Sequence, residues 1–134
     1  MHILIVEDKE NLRQMLTAAV EKMGFTVDTA EDGRQAQVKI KQRRYALILT
    51  DLRLPKGSGL EVLSYSRELD DAMPVIVMTA YGTIEEAVSA MKSGAFDFIQ
   101  KPIDLDHLRL LIERALEQGR IVRENILLRE AFQQ

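Results

Sequence analysis

The sequence predicts an α/β domain in which one five-stranded parallel sheet is covered by helices on both faces. Three observations carry that expectation: five short apolar runs, longer segments of helical period between them, and regular alternation of the two along the chain. With 134 residues, 46% of them hydrophobic and 29% charged, the chain holds one ordinary core and is too short for two.

The first run, Ile3 to Val6, is purely apolar and stops at Glu7-Asp8, as a strand covered on both faces does. Leu12, Leu16, Ala19 and Met23 then recur at steps of four, three and four, the stripe of an amphipathic helix, with Gly24 where a helix ends. Val27 to Ala30 is the second strand, and the polar alternation in Thr26-Val27-Asp28-Thr29 marks a sheet edge. A helix near Gly33 to Gln42 follows, capped by Asp32. The third strand is Leu47 to Leu49; the third helix lies near Leu60 to Leu69, with Ser58 as its cap. Val75 to Met78, again apolar throughout, is the fourth strand. Ile84, Ala87, Val88 and Met91 repeat the helical stripe, and Gly94 closes it. Phe96 to Ile99 is the fifth strand, its Phe96-Asp97-Phe98 alternation marking the other edge, before a fifth helix. Edges at strands two and five fit the doubly wound order 2-1-3-4-5, whose ligand crevice lies at the carboxyl ends of the strands, near the switch between strands one and three.

Composition removes several function classes. Eighteen basic against 21 acidic residues leave a net charge of -3, so the electrostatic attraction that dominates nucleic-acid binding has no source here, and no direct DNA contact is expected. Without cysteine there is no disulfide framework and no thiolate metal site. Glu7 and Asp8 come too early for a signal peptide, and no apolar run approaches a membrane span, so a cytoplasmic location is the default expectation.

The predicted topology brings Glu7, Asp8, Asp51, Thr79 and Lys101 to one rim, each at or just past a strand end. Three carboxylates gathered there repel one another unless a cation compensates, and hard oxygen ligands suit Mg²⁺. Three carboxylates, one dication and one ammonium balance, which leaves the site able to accept an anionic phosphoryl group. One carboxylate is then free to act as nucleophile and form an aspartyl phosphate, with Lys101 and the metal on the phosphoryl oxygens and the Thr79 hydroxyl donating to them. Such chemistry needs positioning more than a general base.

Val6-Glu7-Asp8, Thr50-Asp51-Leu52-Arg53-Leu54-Pro55, Met78-Thr79-Ala80 and Lys101-Pro102, in this order and spacing, resemble the receiver domain of two-component response regulators, a flavodoxin-like fold. The resemblance covers residues 1 to 118. It implies that Asp51 accepts phosphate from a phosphohistidine on a sensor histidine kinase. It also implies that Glu7, Asp8, Asp51 and the backbone carbonyl of Arg53 hold Mg²⁺, that Thr79 and Lys101 contact the phosphoryl group, and that the peptide before Pro102 is cis. Arg53 and Tyr81, two beyond Asp51 and Thr79, fall where the family tunes phosphate lifetime. The resemblance also implies that Thr79 and Phe98 form a switch pair; Phe98 stands where many relatives have Tyr, so the expected exchange relies on packing alone. Glu7 replaces a second Asp found in many receivers, and Ser58-Gly59 replaces a frequent Asp-Gly.

Residues 119–134 read as a helical extension. Ile121, Asn125, Leu128 and Phe132 fall at steps of four, three and four, a short heptad seam with a register-setting Asn, which predicts a homodimer. The extension is similar to the linker helix of NtrC-type transcriptional activators, which implies a covalently linked AAA+ ATPase and a DNA-binding domain in a longer protein.

Taken singly, an acidic pair after a strand is usually a solvated turn, and His2 and His107 lack the partners of a transition-metal site. At four strand ends together, coincidence explains the acidic, Thr and Lys residues poorly. A flavin or nucleotide module needs a Gly- or hydroxyl-rich loop after strand one, where Glu7-Asp8-Lys9-Glu10-Asn11 stands. A dehalogenase-type phosphatase needs a second Asp where Arg53 stands. The rival that remains is a stand-alone or phosphorylation-independent receiver-like interaction module. The expected function is a phosphorylatable switch and not a multiple-turnover enzyme.

Overall fold

A computed structural model of the chain describes residues 1–80 and 84–132, without the side chain of Phe132. The elements follow in strict alternation: β1 His2–Val6, α1 Glu10–Lys22, β2 Thr26–Ala30, α2 Gly33–Gln42, β3 Leu47–Asp51, α3 Gly59–Leu69, β4 Val75–Thr79, α4 Ile84–Lys92, β5 Asp97–Gln100 and α5 Leu105–Phe132. The strands form one parallel sheet of order β2-β1-β3-β4-β5.

The two-residue period of the strands sorts the core into two layers. Leu4, Val6, Ile48, Val75 and Val77 face α2, α3 and α4, meeting Ala36, Ile40, Val62, Leu63 and Ala90. Ile3, Ile5, Leu47, Leu49, Ile76 and Met78 face α1 and α5, meeting Leu16, Val20, Leu108, Leu111, Ile112 and Ala115. β1, β3 and β4 are buried on both sides, which is why they read as continuous apolar runs; β2 and β5 are partly exposed edges. The Asp32 and Ser58 side chains cap α2 and α3 by accepting the Gln35 and Glu61 N–H groups at 2.8 and 3.2 Å. Gly24 and Gly94 adopt φ of +98° and +103° just beyond α1 and α4.

Two expectations are corrected. The apolar stripe of α4 does not face the core as a whole: Ala87 and Ala90 are buried, whereas Ile84, Val88 and Met91 are exposed. The residues of α4 that meet the core are thus its two small alanines. The fifth strand begins one residue late, at Asp97, and Phe96 joins it only through its N–H to the Val75 carbonyl at 2.8 Å.

α5 crosses the 118/119 boundary without a break. Its first half is anchored by Leu108, Leu111, Ile112 and Ala115, all buried. Gly119 continues that face, packed so closely on the α3–β4 connection that a β-carbon there would stand 3.1 Å from the Ala72 carbonyl oxygen. Arg123 then pairs with Asp70 at 2.7 Å. Ile121, Asn125 and Leu128 of the seam are exposed, while the Phe132 side chain lies outside the described residues. No helix among the described residues is long and apolar enough to cross a membrane.

Candidate functional site

Register decides which residues share the carboxyl edge of the sheet. Val6 is level with Ala30 and Thr50, Asp51 with Met78, and Thr79 with Gln100. Each chain then leaves the sheet through a backbone hydrogen bond to its neighbour: Glu7 N–H to the Ala30 carbonyl at 3.0 Å, Leu52 N–H to Met78 at 3.2 Å, and Lys101 N–H to Thr79 at 2.8 Å. Glu7, Asp51, Thr79 and Lys101 are therefore held by the sheet itself. The Lys101–Pro102 peptide is cis.

Glu7 is fully buried, Asp51 is 7% exposed and Thr79 is 2% exposed, whereas Asp8 lies open to solvent. Lys101 Nζ donates to Glu7 Oε1 at 2.8 Å and to Asp51 Oδ2 at 2.7 Å, spanning both carboxylates. The second Asp51 oxygen accepts the Arg53 N–H at 3.1 Å, and the second Glu7 oxygen accepts that of Lys9, also at 3.1 Å. Burial raises the Glu7 pKa, against the lowering effect of Lys101 and the Lys9 N–H. Burial also works against the charged form of Lys101, but hydrogen bonds and attraction from Asp51 and Glu7 outweigh it and its pKa is raised. Glu7, Asp8 and Asp51 each offer an oxygen, all within 4.8 Å of one another. Three carboxylates against one ammonium leave a formal excess of two negative charges, the deficit that a divalent cation fits, and oxygen donors suit a hard one.

The sequence of the response regulator receiver domain family matches residues 3–113. The chain belongs to that family. Regulatory protein AtoC of Escherichia coli (strain K12) is 42% identical over 115 residues, covering 86% of this chain and 25% of AtoC. Among solved structures, NtrX from Brucella abortus in complex with ADP is 35% identical with a TM-score of 0.90, covering 95% of this chain and 29% of that one. The beryllofluoride-activated NtrC4 receiver domain dimer is 34% identical with a TM-score of 0.83, covering 88% of this chain and 98% of that one. These relatives mark the chain as a receiver similar to those of NtrC-type regulators. It spans about a quarter of the length of the curated relatives it matches.

Other residues singled out in the sequence lie apart from this cluster. Phe98 sits half-buried on β5, level with Val77 and packed on the core layer that faces α2–α4. Tyr81 lies outside the described residues. His2 contacts Arg43, and His107 is exposed. Sequence reasoning missed Arg13, whose guanidinium donates to the carbonyls of Glu7 and Asp8 at 2.9 and 3.3 Å and pins the β1–α1 turn. It also missed Glu86, the partner of Arg53 across to α4 at 3.0 Å. Neither stands in a recognisable motif; their one sequence signal is a charge on the first turns of a helix near the site.

Proposed function

We propose that this receiver accepts a phosphoryl group on Asp51 from the phosphohistidine of a sensor histidine kinase and passes the change to an output. The observation that carries the reading is Lys101 Nζ seated between Glu7 and Asp51 at 2.8 and 2.7 Å, in a pocket of buried acids that opens at Asp8. Glu7, Asp8, Asp51 and the backbone carbonyl of Arg53 would hold Mg²⁺. When bound, it neutralises carboxylates and phosphoryl oxygens that otherwise repel.

An Asp51 oxygen attacks phosphorus; the new P–O bond forms as the donor's P–N bond breaks, and the released imidazole keeps the electron pair and takes up a proton. Lys101 already donates to Asp51 and transfers its hydrogen bond to a phosphoryl oxygen, and Thr79 adds a hydroxyl donor. Movement of Thr79 towards the phosphoryl group opens volume that Phe98 fills by packing, and Arg53 and Tyr81 govern how long the acyl phosphate survives water. The chain promotes its own phosphorylation and dephosphorylation and is a switch, not a multiple-turnover enzyme. In the longer protein it controls an AAA+ and DNA-binding output in the cytoplasm, with homodimer packing through Ile121, Asn125, Leu128 and Phe132. Residues 1–118 form the receiver and 119–134 its helical linker.

Incubation with acetyl phosphate and Mg²⁺ should add one phosphoryl group to the intact mass, and Asp51→Ala should abolish the gain. No gain in the wild-type chain overturns the reading in favour of a phosphorylation-independent interaction module. Sedimentation with and without beryllofluoride tests whether phosphorylation switches the dimer; an unchanged mass counts against that switch.

A further inference from the structure

The loop after β3 and the start of α4 are joined by a forked ion pair. Arg53 Nη2 donates to Glu86 Oε1 at 3.0 Å and Nε to Oε2 at 3.5 Å. The side chains are 68% and 38% exposed, so water and not packing surrounds the contact. The backbone of Arg53 does not share that freedom: its N–H is held on Asp51 Oδ1 at 3.1 Å. A flexible guanidinium is thus tethered beside the acceptor carboxylate but occupied elsewhere.

We propose that Glu86 is a positioning residue that parks Arg53 away from Asp51, and that a phosphoryl group on Asp51 takes Arg53 from Glu86 and so unties α4. This rests on the reading of Asp51 as phosphoacceptor. An exposed carboxylate holds a guanidinium weakly. A phosphoryl group brings two negative charges and three acceptor oxygens, and a guanidinium prefers such an acceptor. The exchange therefore runs towards the phosphoryl oxygens. α4 is the helix on which a lost tether tells most, because it buries only Ala87 and Ala90 while Ile84, Val88 and Met91 lie exposed. Glu86 is one residue from Ala87, so the ion pair anchors the same turn as the buried contact.

Hydrogen exchange of peptides covering 84–92 tests this in the whole 134-residue chain, before and after acetyl phosphate and Mg²⁺, with intact mass recording phosphoryl uptake. Without phosphate, Glu86→Gln and Arg53→Gln should each speed exchange about two- to fivefold, and the double variant no further. With phosphate, wild type and Glu86→Gln should match, because the pair is already broken. The charge reversal Arg53→Glu/Glu86→Arg should restore protection without phosphate, which excludes a general loosening of the fold. The phosphate lifetime should shorten in Arg53→Gln and stay unchanged in Glu86→Gln. Wild-type exchange across α4 unaltered by phosphoryl uptake, or Glu86→Gln raising exchange equally in both states, overturns the proposal alone. A wild-type chain that gains no phosphoryl mass overturns it together with the reading of Asp51.

Discussion

Replacing Lys101 with Met removes the ammonium from the centre of the acidic site but keeps a side chain of similar length. Glu7 is fully buried and Asp51 7% exposed, with Lys101 Nζ at 2.8 and 2.7 Å from them. Removing one partner of a buried pair costs about 3–5 kcal/mol, because the charge left behind stays desolvated. The Lys101 side chain is 20% exposed, so water reaches the rim and the lower end, about 3 kcal/mol, is expected at neutral pH without divalent cations. In a domain of this size that is a Tm drop on the order of 10 °C. The loss carries a pH signature. Burial raises the Glu7 pKa above 4.5 and Lys101 is the main group opposing it, so in the variant it rises further. A carboxyl with a higher pKa folded than unfolded contributes stability that is fully present below the unfolded value and lost as pH rises through the folded one. The deficit of Lys101→Met therefore shrinks as pH falls towards 4.5. Urea unfolding followed by circular dichroism at about pH 5 and about pH 7.5 measures it, and adding Glu7→Gln should recover roughly half. A deficit below about 0.5 kcal/mol at neutral pH, or one equal at both pH values, refutes the reasoning.

Tyr45 is buried and its hydroxyl donates to Asp28 Oδ2 at 2.8 Å, so Tyr45→Phe should cost about 1–2 kcal/mol in urea unfolding. Burial first, then Asp28, raises the Tyr45 pKa above 10.0; the unfolded phenol ionises first as pH rises past that value, so wild type loses stability there and the variant's deficit narrows. A β-carbon at Gly59 would stand 2.2 Å from the Asp51 carbonyl oxygen, and Gly59→Ala should displace the acceptor and slow phosphoryl uptake about a hundredfold by mass, with circular dichroism retained. Asp70→Asn breaks the 2.7 Å pair with Arg123; hydrogen exchange beyond Gly119 should quicken about two- to fivefold with little change in Tm.

Much of this molecule was legible because a parallel sheet buried on both faces leaves unmistakable traces. Ile3–Val6, Leu47–Leu49 and Val75–Met78 had to be apolar at every position, and the weaker alternation around Asp28 and Asp97 marked the edges. Parallel strands also place their carboxyl ends together, so acids at 7, 8 and 51 could be gathered with Thr79 and Lys101 before any coordinate was known. What escaped were matters of side-chain direction. Nothing in Glu7-Asp8 distinguishes the acid that turns inward to Lys101 from the one that stays in solvent. Helical period shows that α4 has an apolar stripe, yet only the packing beneath it decides that the alanines are buried and Ile84, Val88 and Met91 are not.

Side-chain direction also decides how α5 is used, since two apolar stripes share this one helix. Leu108, Leu111, Ala115 and Gly119 are buried at steps of three, four and four, and a further step of three reaches Val122, half-buried, beside Arg123 on Asp70. Ile121, Asn125 and Leu128 fall one position behind that line, about 100° round the helix. The receiver thus uses one face of α5 past residue 119 to fix the helix direction, and the proposed dimer seam occupies another. The stripes overlap between 119 and 122, so a change in how α5 rests on Ala72 and Pro74 rotates the seam with it. Because α5 runs unbroken through residue 118, the buried face and the proposed seam belong to one helix with no break between them.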